Sequence, residues 1–143
     1  MVRMHTRTVL PAIILALTFV AAASAQTADR DLDFRIKTTQ ILNSILEGIS
    51  EGDYEKFTRD FSPTLKKAQD RENFLRLQRS IQKSLGKLRS TEFMGSYTQQ
   101  GAVITLFKVR FSKDKDDVLI KLVFDGQSNS KVTGLWFDSP AME

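Results

Sequence analysis

The side chains that carry most enzyme chemistry are scarce in this sequence. The chain has 143 residues, no cysteine and a single histidine, His5. A thiol nucleophile and a zinc site built from cysteine and histidine therefore lack the residues they require, and we expect neither a metal nor a cofactor. Acid–base chemistry is left to the carboxylates and tyrosines.

Glu92 is the carboxylate that the sequence places best for proton transfer. It lies between Thr91 and Phe93 in a predicted strand. A carboxylate acts as a general acid or base near neutral pH when a dry pocket raises its pKa. Glu92 has the opposite phase to Phe93 and Tyr97, so it points inward only if those rings point outward. A solvated strand position is favoured, and a pocket role is the alternative.

Three aromatic side chains with polar tips are candidates for lining a ligand pocket: Tyr54, Tyr97 and Trp136. Each joins a large apolar body to one hydrogen-bonding group that can orient a ligand. Tyr54 shares helical spacing with Phe57 and Phe61, and Trp136 stands beside Phe137 in a predicted terminal strand. Packing in the core is the favoured explanation of these positions, and contact with a ligand is the alternative.

A basic ridge is predicted on one helix, formed by Arg76, Arg79, Lys83 and Lys87. Helical spacing places these positions on the same side, where they could meet an anionic lipid surface, a polyanion or an acidic partner. The solvated back of an amphipathic helix is the favoured interpretation. We expect no binding to nucleic acid, because no aromatics interleave the basic residues.

The hydrophobic period changes from helical to alternating near the middle of the chain. Apolar residues from Asp29 to Ile49 predict one helix, Asp53 caps a short second helix that Ser62-Pro63 breaks, and Asp70 caps a third that ends at Gly86. Four strands follow with short polar links, so neighbouring strands should be antiparallel. We predict an α+β domain in which three helices pack on one face of the sheet. The predicted strands are 88–98, 102–111, 117–124 and 131–137.

The N-terminal segment has the pattern of a signal peptide. Arg3 and Arg7 precede an apolar run over residues 9–20, and Ala23-Ser24-Ala25 offers the small residues that a signal peptidase accepts. We predict cleavage near Ala25, which divides the chain into a signal peptide, residues 1–25, and a single domain, residues 26–143. The product would be periplasmic or secreted and would lack His5. An uncleaved membrane anchor is the alternative, although the apolar run is short for one.

Three local patterns in this order resemble the nuclear-transport-factor-two-like superfamily, and most closely its small exported bacterial branch of unknown function. They are EGDYEKF at residues 51–57, LGK at 85–87, and Phe124-Asp125 followed by VTGLWF at 132–137. The resemblance implies a cone-like fold with a curved sheet, a ligand pocket and frequent pairing of subunits across the sheet. Its enzymes usually use a pocket histidine or aspartate, and no such residue can be carried across to this chain.

The sequence therefore predicts an exported, non-catalytic domain that binds a small molecule or peptide, or that forms a homodimer through the sheet. Leu119 with Val123, and Ile104 with Leu106, offer apolar area for such a dimer. One alternative is a small isomerase, dehydratase or hydrolase that uses a buried carboxylate. Another is a protein that binds a membrane surface or an acidic partner through the basic ridge, without stable insertion into the membrane.

Overall fold

The computed structural model describes residues 14–126 and 131–142. Arg3, His5 and Arg7, which belong to the predicted signal peptide, lie outside the described residues. Within the described ranges, no helix has both the length and the apolar character needed to cross a membrane. The chain divides into two compact units, Met1–Ile36 and Lys37–Glu143.

The first helix, α1 (Ile14–Glu51), is longer than the sequence pattern predicted. In the described part of the first unit, the chain is helical and the side chains of Leu32 and Ile36 are exposed. The prediction that these two residues belong to a buried stripe was wrong. The buried stripe begins at Thr38 in the second unit, because only there does the helix contribute its apolar face to the core.

Aspartate caps begin two of the following helices, as predicted. Asp53 precedes α2 (Tyr54–Thr58), and its side chain accepts a hydrogen bond from the backbone N–H of Lys56. Asp70 does the same for α4 (Arg71–Ser84) through the N–H of Asn73. Each carboxylate satisfies a backbone donor that the first turn of a helix would otherwise leave unpaired.

A further helix, α3 (Pro63–Ala68), replaces the predicted break at Ser62-Pro63. The Ser62 side chain accepts from the N–H of Leu65, and Pro63 occupies the first helical turn. Proline ends a preceding helix, but its fixed φ and missing N–H also suit the start of a new one. The described residues therefore hold four α-helices rather than three, together with a 3₁₀ turn at Pro140–Met142.

The four predicted strands form one open antiparallel sheet in the order β1-β2-β3-β4. A tight turn with positive φ at Gln100 and Gly101 joins the first hairpin. In β2 and β3 alternate residues are buried, among them Phe107 and Ile120, and Ile104 on the opposite face of β2 is buried as well, so it does not offer the exposed apolar area expected for a dimer. The strands are β1 (Leu88–Gln99), β2 (Ala102–Phe111), β3 (Val118–Asp125) and β4 (Val132–Asp138).

Helices and sheet of the second unit share one apolar core. Phe57 packs against Phe74 with ring centroids 4.9 Å apart, which joins α2 to α4. The link between α2 and α3 is tied to β4, because Val132 donates its N–H to Asp60 and accepts from the N–H of Ser62, both at 2.8 Å. These contacts leave the opposite face of the sheet, here called the outer face, outside the core.

Candidate functional site

A cleft of about 360 Å³ lies where α1 and α4 end beside the start of β1 and the end of β2. Five apolar side chains contribute to its wall, and four of them are buried in the structure. Its polar rim carries hydroxyl, amide and ammonium groups. The apolar residues are Leu46, Ile49, Ile81, Leu88 and Phe111, and the polar ones are Ser50, Gln82, Lys87, Ser112 and Lys113.

The termination of α4 builds one wall of this cleft. The N–H groups of Leu85 and Gly86 both donate to the carbonyl of Ile81, at 2.8 and 2.9 Å, and Gly86 then turns the chain with φ of 82°. A Cβ on Gly86 would collide with the Ser112 hydroxyl. Only glycine permits both the backbone turn and the close approach of the segment after β2.

Reciprocal hydrogen bonds hold Lys87 against that segment. The Lys87 N–H donates to Ser112 Oγ at 2.9 Å, and the Ser112 N–H donates to the Lys87 carbonyl at 2.8 Å. The Lys113 N–H also donates to the carbonyl of Leu85 at 2.9 Å. The backbone at the rim is therefore fixed, although the side chains of Lys87 and Lys113 are exposed.

The cleft lining carries positive charge and no carboxylate. Two lysines line it, with no aspartate, glutamate, histidine or cysteine among the lining residues. The Ser112 hydroxyl accepts a backbone N–H, and the Lys113 ammonium donates to backbone carbonyls of α4. Neither group is arranged as a nucleophile beside a base. The lining is suited to holding an apolar molecule with a polar end.

Glu92 lies on the outer face of the sheet, away from the cleft. It is opposite Lys108 in the register of β1 and β2, and its carboxylate pairs with the Lys108 ammonium at 2.6 Å. The Glu92 side chain is 59% exposed. Among the described residues no aspartate or glutamate is buried. In the part of the chain that the structure describes, no carboxylate is desolvated in the way that the catalytic alternative requires.

Tyr54 packs between three helices and does not line the cleft. Its hydroxyl donates to the carbonyl of Lys66 at 3.4 Å, its ring meets Phe74 edge to face, and the Arg71 guanidinium lies 4.6 Å from the ring centroid. These contacts join α2, α3 and α4. They account for the partial burial of the ring without a ligand.

Tyr97 and Trp136 lie on the outer face of the sheet and are 45% and 54% exposed. Tyr97 is opposite Ile104, and Trp136 is opposite Lys121. The indole of Trp136 lies over Gly134, where an added Cβ would collide with the ring. The structure does not bring Tyr54, Tyr97, Trp136 and Glu92 together into one pocket.

The predicted basic ridge is shortened at its C-terminal end. The helix stops at Ser84, so Lys87 lies beyond the turn at Gly86 and belongs to the cleft instead. Arg76 donates to Asn73 Oδ1 at 2.8 Å and lies 3.6 Å from Glu72 Oε1. The expectation that four residues project from one side of a single helix was wrong, because the positive φ at Gly86 ends the helical geometry.

Sequence reasoning missed the cleft although it named several of its residues as core. Leu46, Ile49, Ile81 and Phe111 all have the periodicity of core positions. Periodicity shows which face of an element is apolar but not where the opposing element stops. Within the described residues there is also no group of three or more metal-ligating side chains that could hold an ion.

The architecture and the cleft define a class: a small α+β domain with an open antiparallel sheet and an apolar cleft rimmed by lysines. A family model, described as a protein of unknown function (DUF3887), matches residues 43–135. The chain belongs to this family, and the matched range holds every residue of the cleft. No curated protein and no solved structure gives a significant match.

Proposed function

We propose that this protein is an exported, non-catalytic binding domain that holds a small ligand in the cleft between the ends of α1 and α4. The observation that carries the proposal is the cleft itself. It has about 360 Å³ of space over a largely apolar wall, within the size range of small-molecule sites. A cavity of this kind leaves apolar surface in contact with water, and a ligand would remove that surface from water.

The surroundings of the cleft favour binding over catalysis. A general acid or base must lie within hydrogen-bonding reach of the reacting group, and the lining residues include no carboxylate or imidazole. Ser112 and Lys113 are present, but the Ser112 hydroxyl accepts a backbone N–H and the Lys113 ammonium donates to backbone carbonyls. A bound molecule would therefore be held in place and would leave unchanged.

Export of the domain is supported by the sequence pattern of residues 1–25. The proposal expects the mature chain to begin at Gln26. Intact mass and N-terminal sequencing of the protein recovered from its natural compartment would test this. A chain that retains Met1 and fractionates with the membrane would contradict cleavage and favour an anchor.

Kinship with the nuclear-transport-factor-two-like superfamily is also part of the proposal. Helices followed by a four-stranded antiparallel sheet, with one sheet face in the core, are the features that support it. An experimental structure would test it through the curvature of the sheet. A flat sheet without a cone would place the family outside that superfamily.

Binding of the neutral dye Nile red tests the ligand site without assuming a ligand. The dye should fluoresce on the wild-type chain because the cleft offers it an apolar surface. Ser50→Trp, at an exposed lining position of α1, should fill the cleft and abolish that signal. Gln40→Trp adds the same ring at an exposed position of α1 that does not line the cleft, and it should leave the signal intact.

The matched pair of variants separates the cleft from other apolar surface. The N-terminal apolar run is present in every variant, so its contribution to dye binding is constant. Equal dye binding by Ser50→Trp and Gln40→Trp would overturn the proposal. Absence of dye binding to the wild-type chain would overturn it as well.

A homodimer through the outer face is a second candidate role, favoured by the exposed apolar side chains Tyr97, Leu119 and Trp136. Lysine and carboxylate groups are both present there, in the Glu92–Lys108 pair and in Lys121 near Asp138, so two copies would not repel each other.

Light scattering after size exclusion tests this second role. Trp136→Glu should convert a dimer to a monomer, because a charge would replace the most exposed ring of the outer face. Leu75→Glu, at an exposed apolar position of α4, should not change the mass. A monomeric wild-type chain at high concentration would rule the dimer out.

A further inference from the structure

The two lysines of the cleft differ in the hydrogen-bond partners of their ammonium groups. Lys113 Nζ donates to the carbonyls of Gln82 and Lys83, at 3.1 and 3.3 Å. These carbonyls lie in the last turn of α4, where the helix dipole is negative. Lys113 therefore stabilises the helix end, and one of its three N–H donors remains for another acceptor.

Lys87 has no such structural partner. Its side chain is exposed, and within the described part of the chain its ammonium forms no ion pair. Its backbone is fixed by the two hydrogen bonds with Ser112, at 2.9 and 2.8 Å. The root of this side chain is thus held at the rim, so its positive charge stays near the mouth of the cleft.

The carboxylates of α1 nearest in sequence to the cleft residues are paired with a lysine outside the cleft. Glu47 and Glu51 both bind Lys56, with N–O distances of 2.9 and 3.1 Å. The hydrogen bond that the Lys56 ammonium donates to Glu47, followed by the one it donates to Glu51, raises the pKa of Lys56. Neither carboxylate lines the cleft, whose lining carries Lys87 and Lys113 and no acidic residue, so the lining has a net positive charge.

We propose that the ligand of this cleft is an amphipathic monoanion, with an apolar chain or ring and one anionic head. The inference rests on the proposed binding function and assigns its chemical class. The apolar body would lie against Ile49, Ile81 and Phe111 and would cover Leu88, the exposed apolar residue of the lining, which removes apolar area from water. The anionic head would meet the Lys87 ammonium and the remaining donor of Lys113.

Three probes with the same ten-carbon chain test this assignment: decanoate, decanol and decylammonium, each below the concentration at which it forms micelles. Displacement of Nile red from the full chain measures their affinities. Decanoate should bind most tightly, because lysines attract the carboxylate and repel the ammonium. Its affinity should also fall as salt is added, whereas that of decanol should not.

Lys87→Gln should weaken decanoate binding about two- to fivefold, which is the range expected for a solvent-exposed ion pair. It should not change decanol binding. Lys67→Gln removes an exposed lysine of α3 that does not line the cleft, and it serves as the matched control. Amide chemical shifts of Ile49, Phe111 and Ser112 on addition of decanoate would confirm where the probe binds.

The outcomes distinguish the ligand class from the binding function. If decanol displaces the dye as well as decanoate does, or if Lys67→Gln weakens decanoate as much as Lys87→Gln does, the monoanion assignment is overturned and the cleft remains a binding site. If none of the probes displaces the dye and Ser50→Trp does not reduce its binding, the binding function itself fails.

Discussion

Substituting Gly86 tests whether the wall of the cleft depends on the turn that ends α4. Gly86→Ala adds one methyl group at a residue with φ of 82°. The left-handed conformation costs an L-residue about 1 to 2 kcal/mol. The new Cβ would also lie 2.8 Å from Lys113 Cγ and closer still to Ser112 Oγ, so the segment after β2 must move.

Movement of Ser112 would break its hydrogen bond with the Lys87 N–H, which is 2.9 Å long. Loss of one such bond costs about 1 kcal/mol, and the steric displacement costs about 1 kcal/mol more. We therefore expect Gly86→Ala to lower the free energy of unfolding by about 3 to 4 kcal/mol. Nile red binding should fall with it, because the displaced residues line the cleft.

Gly101 provides a matched control for the backbone strain. Its φ is 78°, nearly that of Gly86, but an added Cβ there would meet nothing within 4 Å. Gly101→Ala should cost only the conformational penalty, about 1 to 2 kcal/mol. The effect of losing a glycine from the unfolded chain is the same in both variants and cancels in the comparison.

Urea denaturation of the two variants and the wild-type chain gives the comparison directly. A loss of stability in Gly86→Ala that exceeds that in Gly101→Ala by about 2 kcal/mol would support the contact with Ser112 and Lys113. Equal losses would refute this contact, because they would show that the segment after β2 can move away from the added methyl group at no cost. Unchanged dye binding in Gly86→Ala would refute the link between this turn and the cleft.

Four further substitutions test the capping, the core and the outer face by urea denaturation. Asp70→Ala should lower the free energy of unfolding by about 1 kcal/mol, since the N–H of Asn73 loses its acceptor. Ser44→Ala should be neutral or stabilising by up to about 1 kcal/mol, because the buried Ser44 hydroxyl has no hydrogen-bond partner among residues 14–126 and 131–142; a clear destabilisation would reveal a partner. Phe107→Ala should cost about 3 to 5 kcal/mol, whereas Trp136→Ala should cost about 1 kcal/mol, since Phe107 is fully buried and Trp136 is more than half exposed. Similar losses in these last two variants would contradict the assignment of the two sheet faces.

Alternation along β2 and β3 was sufficient to predict the buried face of the sheet. Phe107 and Ile120 lie on strands in which alternate residues are buried, with Ile104 as an additional buried residue of β2, and a one-residue shift would have exposed most of the apolar set. The capping aspartates were equally predictable, because each capping side chain accepts a hydrogen bond from a backbone N–H only a few residues further along the chain. These features depend on short-range sequence, and the structure agrees with them.

The elements that were mispredicted depend on distant partners. Ser62-Pro63 has the same local chemistry whether it ends one helix or begins the next, and the pairing of Val132 with Asp60 and Ser62 lies about 70 residues away along the chain. Lys87 was assigned to a helix face by extending the helical period through Gly86. The helical period of the sequence does not indicate at which residue a positive φ ends the helix.

The cleft could not be predicted because it arises from the same turn that interrupted the ridge. When α4 ends at Ser84, its next residues no longer cover the end of α1, and Ile49 and Ile81 keep open space beside them. The chain reversal at Gly86 carries Lys87 from the expected helix face to the mouth of that space. A lysine that would have been one of several solvated charges on a helix thereby becomes one of two charges that line an apolar cavity. This displacement turns a pattern typical of a basic surface into one that favours a small amphipathic anion.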